Sequence, residues 1–355
     1  MVFALMVFGL IQVYSSSFIY AIENYGDGLV FFKKQLFFTL VGFGLMIGVM
    51  RMPYSWIERW GWTLWFVAFL GLVLTYIPGV GVKVGGAQRW LPLPFGLRFE
   101  PCELMKLSLP LLLARYARDR YVDLPMSNVV FKCLVVILPL FLLLGQPDFG
   151  SFSLCFLVLG SLLFLFGLPW KYIIASVLVA LPSVYFLVMN VPYRKARVTA
   201  FLDPWANPEG SGFQLIQSML TFHSGGLTGA GLGDGQGKLF FLPAAHTDFT
   251  LAVLGEELGF LGFAFLLFCY GFLVFRGLQL SFSLKNKQKQ VMATGLVLTF
   301  AYSVFVNVGV SLGLLPTKGL TLPFLSYGGS SLIVNSMLFG LLLNLHMKTK
   351  KRVRS

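Results

Sequence analysis

DFTLAVLGEELGFLGFAFLLFCYGFLVF, residues 248–275, decides the fold. Three charged side chains, Asp248, Glu256 and Glu257, lie in its first part, and from Leu258 to Phe275 there is none. A helix rises ~1.5 Å per residue, so about 20 such residues cross a hydrocarbon core of ~30 Å. A helix is required because in lipid each backbone polar group must find its partner within its own segment.

Comparable runs recur on both sides of this stretch. Ten spans are expected, at about 2–22, 35–52, 60–78, 101–117, 128–145, 149–167, 171–190, 248–275, 291–315 and 328–346. Only a tight turn at Gln146-Pro147-Asp148 separates two of them. The 355 residues are 57% hydrophobic and 12% charged, with mean hydropathy +0.80. A soluble domain of that length could not bury so much apolar surface. The expected fold is therefore all-α, one polytopic transmembrane domain over residues 1–355. A large extracytoplasmic loop at about 191–247 separates the seventh and eighth helices, and a basic cytoplasmic tail occupies 348–355. No basic n-region or small-residue cleavage site marks a signal peptide, and Met1 lies almost inside the first span. No repeat of fixed period is present.

Lys and Arg near span ends set the orientation. Arg51, Arg59, Arg115, Arg118, Arg120, Lys171, Arg276, Lys285, Lys287 and Lys289 fall on one side, with Lys348, Lys350, Lys351, Arg352 and Arg354 of the tail. An even span count then puts both termini in the cytoplasm. The net charge of +13 fits a basic surface facing anionic lipid, not nucleic acid. Cys102, Cys133, Cys155 and Cys269 are scattered singly, as packing residues rather than a disulfide or zinc framework. Lys83, Arg89, Arg98, Arg194, Lys195, Arg197, Lys238 and Lys318 break the rule by falling on the outer side. Lipid phosphates or a partner ectodomain would explain any one of them. Together they point to a shared anionic ligand.

The loop's glycine run, Gly229 to Gly237, has neither Rossmann nor Walker spacing. It reads as a flexible connector, or as one that approaches a ligand through backbone N–H groups. Asp248, where the loop meets the next helix, suits an N-cap by spacing; a general base or metal ligand is the sharper reading. In a helix Glu256, eight residues on, returns to the same face ~12 Å deeper, and buried carboxylates such as Glu256 and Glu257 need partners or a role. Glu103 and Lys106 are spaced to pair on one helical face. Asp148 reads as a turn or cap residue. Leu315–Ser331, with Pro316, Pro323 and several glycines, suggests irregular backbone lining a cavity.

Six of these segments, taken together and in order, resemble the SEDS family of peptidoglycan glycosyltransferases. They are Gly86-Ala87-Gln88-Arg89-Trp90, Pro101-Cys102-Glu103-Leu104-Met105-Lys106, Gln146-Pro147-Asp148-Phe149-Gly150, Ala245-His246-Thr247-Asp248-Phe249, Gly255-Glu256-Glu257-Leu258-Gly259 and Ser326-Tyr327-Gly328-Gly329-Ser330-Ser331. Pro316–Thr321 resembles the cell-division member more than the elongation member. The chain departs from the pattern at Ala244 (usually Glu), Cys102 (usually Ser), Phe149 (usually Leu) and Glu100 (usually Gln).

The resemblance implies ten helices and polymerisation of lipid II, an undecaprenyl-pyrophosphate-linked disaccharide peptide, into β-1,4-linked glycan. It makes Asp248 the essential aspartate, as general base or as ligand of Mg²⁺ or Mn²⁺, and it implies no organic cofactor. Trp90, His246 and Ser326 then join the outer cations as substrate-binding positions. The implied partners are a class B penicillin-binding protein and other divisome proteins, at the septum of a bacterial inner membrane. Three rival readings remain: a flippase of the lipid-linked precursor using Glu103, Lys106 and Glu256, a non-catalytic divisome scaffold, and, less well matched to a chain without repeats, a secondary transporter.

Overall fold

The computed structural model describes residues 1–84, 87–117, 126–165, 190–235, 237 and 242–354, and scattered positions between 167 and 189. Its helices are α1 (Val2–Tyr25), α2 (Val30–Arg51), α3 (Tyr54–Thr75), α4 (Pro101–Tyr116), α5 (Met126–Gly145), α6 (Phe149–Leu165), α7 (Pro192–Leu202), α8 (Phe213–Ser224), α9 (Thr250–Ser283), α10 (Lys287–Ser311) and α11 (Gly329–Arg354). Nine of them, α1–α6 and α9–α11, coincide with expected spans. The span expected at 171–190, with Arg118, Arg120 and Lys238, lies largely or wholly outside the described residues. Among the described residues six helices are long and apolar enough to cross a membrane, and two shorter apolar ones accompany them.

Three features depart from the sequence reading. Between α3 and α4 the chain forms strands β1 (Val82–Val84), β2 (Ala87–Leu93) and β3 (Leu97–Phe99), an antiparallel sheet of order β1-β2-β3. β1 and β3, of three residues each, are too short to show an alternating pattern, and β2 carries Pro92, so an all-helical reading passes over the sheet. The stretch 191–247 is not loop throughout, since α7 and α8 occupy much of it. Pro192 starts α7 at a first-turn position that needs no N–H, and α8 buries Leu215, Ile216, Ser218 and Thr221 on one face. Thirdly, α9 is interrupted at Gly259, whose φ of 66° and ψ of −171° are not helical.

Contacts divide the chain into two compact units. The first comprises residues 1–36, 163–271 and 303–327, and the second 37–162, 272–302 and 328–355. Both interleave in sequence, so neither is a separate stretch of chain. In the second unit α4 is the centre: every residue but Arg115 is buried, with α3 and α11 packed on it. In the first, Val13, Ala21 and Phe31 form a core against which Tyr327 packs.

Candidate functional site

Within the first unit the turn 242–249 presents Asp248 two residues before α9 begins. Ala244, at φ 57°, folds the turn so that its carbonyl accepts the N–H groups of Thr247 and Asp248 at 3.0 and 3.1 Å. The Asp248 carbonyl in turn accepts Asn307 Nδ2 from α10 at 3.1 Å. That same amide nitrogen donates to Leu320 O at 2.7 Å. One side chain therefore holds together the Asp248 turn and the irregular segment that carries Lys318. Because Asp248 precedes the helix, the face-sharing reading with Glu256 does not apply.

The segment between α10 and α11 is non-helical, and much of it is buried: Leu320, Leu322, Phe324, Leu325 and Ser326 are all inside. Irregular backbone survives among membrane helices only if protein groups satisfy it, and here side chains from several elements do so. Arg197 Nη1 on α7 donates to Thr317 O at 3.0 Å. The Tyr270 hydroxyl donates to Pro323 O at 2.6 Å, and Gln35 Nε2 donates to Ser326 O at 3.3 Å. Tyr327 N donates to His246 O at 2.9 Å, which joins the segment to the Asp248 turn a second time. Arg197 is thus tied to the residue before Lys318, with Arg194 and Lys195 on the same helix as Arg197.

Two expected substrate contacts have other occupations. The Ser326 hydroxyl is buried and accepts Leu322 N–H at 3.0 Å, so it closes its own turn. His246 packs among the rings of Tyr20, Phe31 and Tyr327 at centroid distances of 5.3, 4.8 and 6.0 Å. Burial in that apolar cluster pushes its pKa down to about 4, so it is neutral at pH 7.

Within the glycine run, three backbone N–H groups are spent on α9. Ala230 N and Gly231 N donate to the carbonyls of Glu256 and Glu257 at 2.9 and 3.0 Å, and Gly237 N donates to the Glu256 carboxylate at 3.0 Å. On the other side of the break, Phe260 N and Leu261 N donate to Gly226 O and Leu227 O at 2.9 and 3.1 Å. The glycines stitch the break in α9, supplying the bonds the helix loses at Gly259. Ser224 Oγ donates to Glu256 Oε1 at 3.3 Å, and Ser15 Oγ donates to Glu257. Both buried carboxylates therefore have partners.

In the second unit Lys106 Nζ lies 2.7 Å from Glu103 Oε1, both side chains almost fully buried. Arg89, expected to face substrate, turns its guanidinium to the Gln146-Pro147-Asp148 turn. It donates to Gln146 O at 3.3 Å and to Pro147 O, and lies 3.7 Å from Asp148 Oδ1. Asp148 Oδ1 also accepts Ser151 N at 3.1 Å, capping α6. Lys83 is exposed on β1, and Trp90 is partly buried on β2. Ahead of α4, burial raises the pKa of the Glu100 carboxyl to about 7, and the charges of Glu103 and Asp148 add to the shift.

Asn307, Tyr270 and Gln35 escape a motif-based reading. Their signal was present as lone polar residues inside apolar spans, which lipid penalises unless they bond to something.

The family model FTSW_RODA_SPOVE, described as "Cell cycle protein", matches residues 1–351. A Geobacter sulfurreducens protein named probable peptidoglycan glycosyltransferase FtsW is 42% identical over 353 residues, covering 99% of this chain and 94% of its own. A chain from a structure described as a peptidoglycan synthase complex coordinating polymerization and crosslinking superposes with TM-score 0.75 at 30% identity, covering 97% of each chain. The Thermus thermophilus rod shape determining protein RodA superposes with TM-score 0.70 at 28% identity, covering 98% of this chain and 94% of its own.

Proposed function

The chain belongs to the FtsW/RodA/SpoVE family of multi-pass membrane proteins, and on that premise we propose how it works as a peptidoglycan glycosyltransferase. Its substrate is lipid II, and its reaction joins one disaccharide unit to the next through a β-1,4 bond. The sugar hydroxyl of the acceptor is a poor nucleophile until a base removes its proton. Asp248 takes that proton. The hydroxyl oxygen then attacks the donor's anomeric carbon from the face opposite the diphosphate, so the α-linked donor gives a β-linked product. The bond to the prenyl diphosphate breaks, and the leaving group carries away the electron pair.

Negative charge grows on the diphosphate as that bond breaks, and fixed cations lower its energy. Arg194, Lys195 and Lys318 supply them, while Arg197 holds the Thr317 carbonyl and with it the loop bearing Lys318. The observation that carries this reading is the pair of hydrogen bonds donated by Asn307 Nδ2, which couples the backbone of Asp248 to that of Leu320. Neutral His246 lines the turn and does not compete for the proton. Asp248 is the residue that would hold a Mg²⁺ or Mn²⁺ ion, which would supply positive charge against the departing diphosphate.

In this reading residues 191–247 lie outside the cytoplasm, both termini lie within it, and the protein works at the division septum. A class B penicillin-binding protein that crosslinks the strand is the partner, with other divisome proteins around the pair. The purified chain with that partner, given lipid II in liposomes, should make glycan polymer. Labelled lipid crossing the bilayer with no polymer formed would instead establish a flippase.

A further inference from the structure

Three donors outside the proposed catalytic site converge in the second unit. Glu100 precedes α4, Cys102 lies in its first turn, and Asp148 caps α6. One ligand atom from each lies within 4.8 Å of the other two. Cys102 and Asp148 are each 2% exposed, whereas Glu100 is partly exposed. Asp148 supplies the independent observation: its Oδ1 serves Ser151 N–H and Arg89, while Oδ2 is buried with no hydrogen-bond partner. Buried carboxylate oxygens are seldom left so. Two of the three donors, Glu100 and Cys102, are positions where the chain departs from the family pattern.

We infer that Glu100, Cys102 and Asp148 form a binding site for a thiophilic divalent cation of the Zn²⁺ class, which ties the start of α4 to the start of α6. A thiolate with two carboxylates selects Zn²⁺ over Mg²⁺ or Ca²⁺, and three protein ligands leave a fourth position for water. Binding exchanges the thiol proton, now donated to Glu100 Oε1 at 3.3 Å, for the metal–sulfur bond and releases that proton to solvent. Zinc bonds of ~2.0–2.3 Å require the donors to draw in by about 1 Å, and partly exposed Glu100 can move that far. Lys106 does not oppose the cation strongly, because its ammonium is matched by Glu103 at 2.7 Å. Arg89 and Ser151 orient Asp148 from behind.

The test is metal content of the purified full chain in detergent after equilibration with Zn²⁺, together with the thiolate charge-transfer absorption of the Co²⁺ form. Wild type and Cys133→Ser, which removes an exposed cysteine, should each hold about one ion per chain and show the band. Cys102→Ser should abolish the band, and Glu100→Gln should weaken affinity by about tenfold to a hundredfold. Both replacements are close in size to the native residue. Should Cys102→Ser fail to fold, Glu100→Gln and the wild-type spectrum still decide. Substoichiometric metal in wild type, a spectrum without the thiolate band, or equal binding by wild type and either site variant would overturn the inference.

Discussion

His246 sits two residues before Asp248, yet its ring is enclosed by Tyr20, Phe31 and Tyr327. With a folded pKa of about 4 against 6.5 when unfolded, it binds fewer protons folded than unfolded between those values. Stability should therefore be full above pH ~6.5 and fall as pH drops toward 4. The melting temperature in detergent should decline between pH 7 and 5, and decline less in His246→Gln. An equal decline in both would remove His246 as the cause. The buried Glu103–Lys106 pair gives a second residue-scale prediction. Lys106→Met alone strands a carboxylate and should cost about 3–5 kcal/mol, whereas Glu103→Leu with Lys106→Met should cost far less. Chemical unfolding of the single and double variants separates these outcomes.

The break in α9 belongs to the scale of elements. At Gly259 a side chain would meet positive φ and collide with the backbone of Gly229 and Leu227. Gly271, in the same helix, has open space around a Cβ. Gly259→Ala should therefore destabilise by more than 1 kcal/mol, while Gly271→Ala should be neutral or stabilise by up to about 1 kcal/mol. Paired thermal melts check this, and equal effects would contradict the stitched-break account. Spans were legible because ~20 apolar residues leave lipid few alternatives. The break was not: Gly-Glu-Glu-Leu-Gly within an apolar run still reads as helix, and only the distant Gly226–Gly237 segment completes it. The small sheet and α7 were hidden for a related reason, since neither depends on a long periodic pattern. At the candidate site Asp248 and the basic stretch Arg194–Arg197 stand out in the sequence by charge and position. That Arg89 and Ser326 are occupied structurally was not legible, because their partners are backbone carbonyls and amides, which sequence does not distinguish.

At the scale of the whole molecule, the first unit brings its basic helix, its irregular segment and the Asp248 turn together through backbone carbonyls held by Arg197, Asn307 and Tyr270. Lys318→Ala should reduce lipid II turnover by about tenfold or more, and the loss should be partly mimicked in wild type by high salt. A loss unaffected by salt would argue against charge stabilisation. In the proposed reaction Asp248 removes the acceptor's proton. The direct measurement is the rate of glycan polymerisation from lipid II by the purified chain with the proposed class B penicillin-binding protein, wild type against Asp248→Asn, with matched melting temperatures. Asp248→Asn keeps the turn's shape and should lower the rate by about 10²–10⁴-fold. Polymerisation by the variant at the wild-type rate would contradict the account.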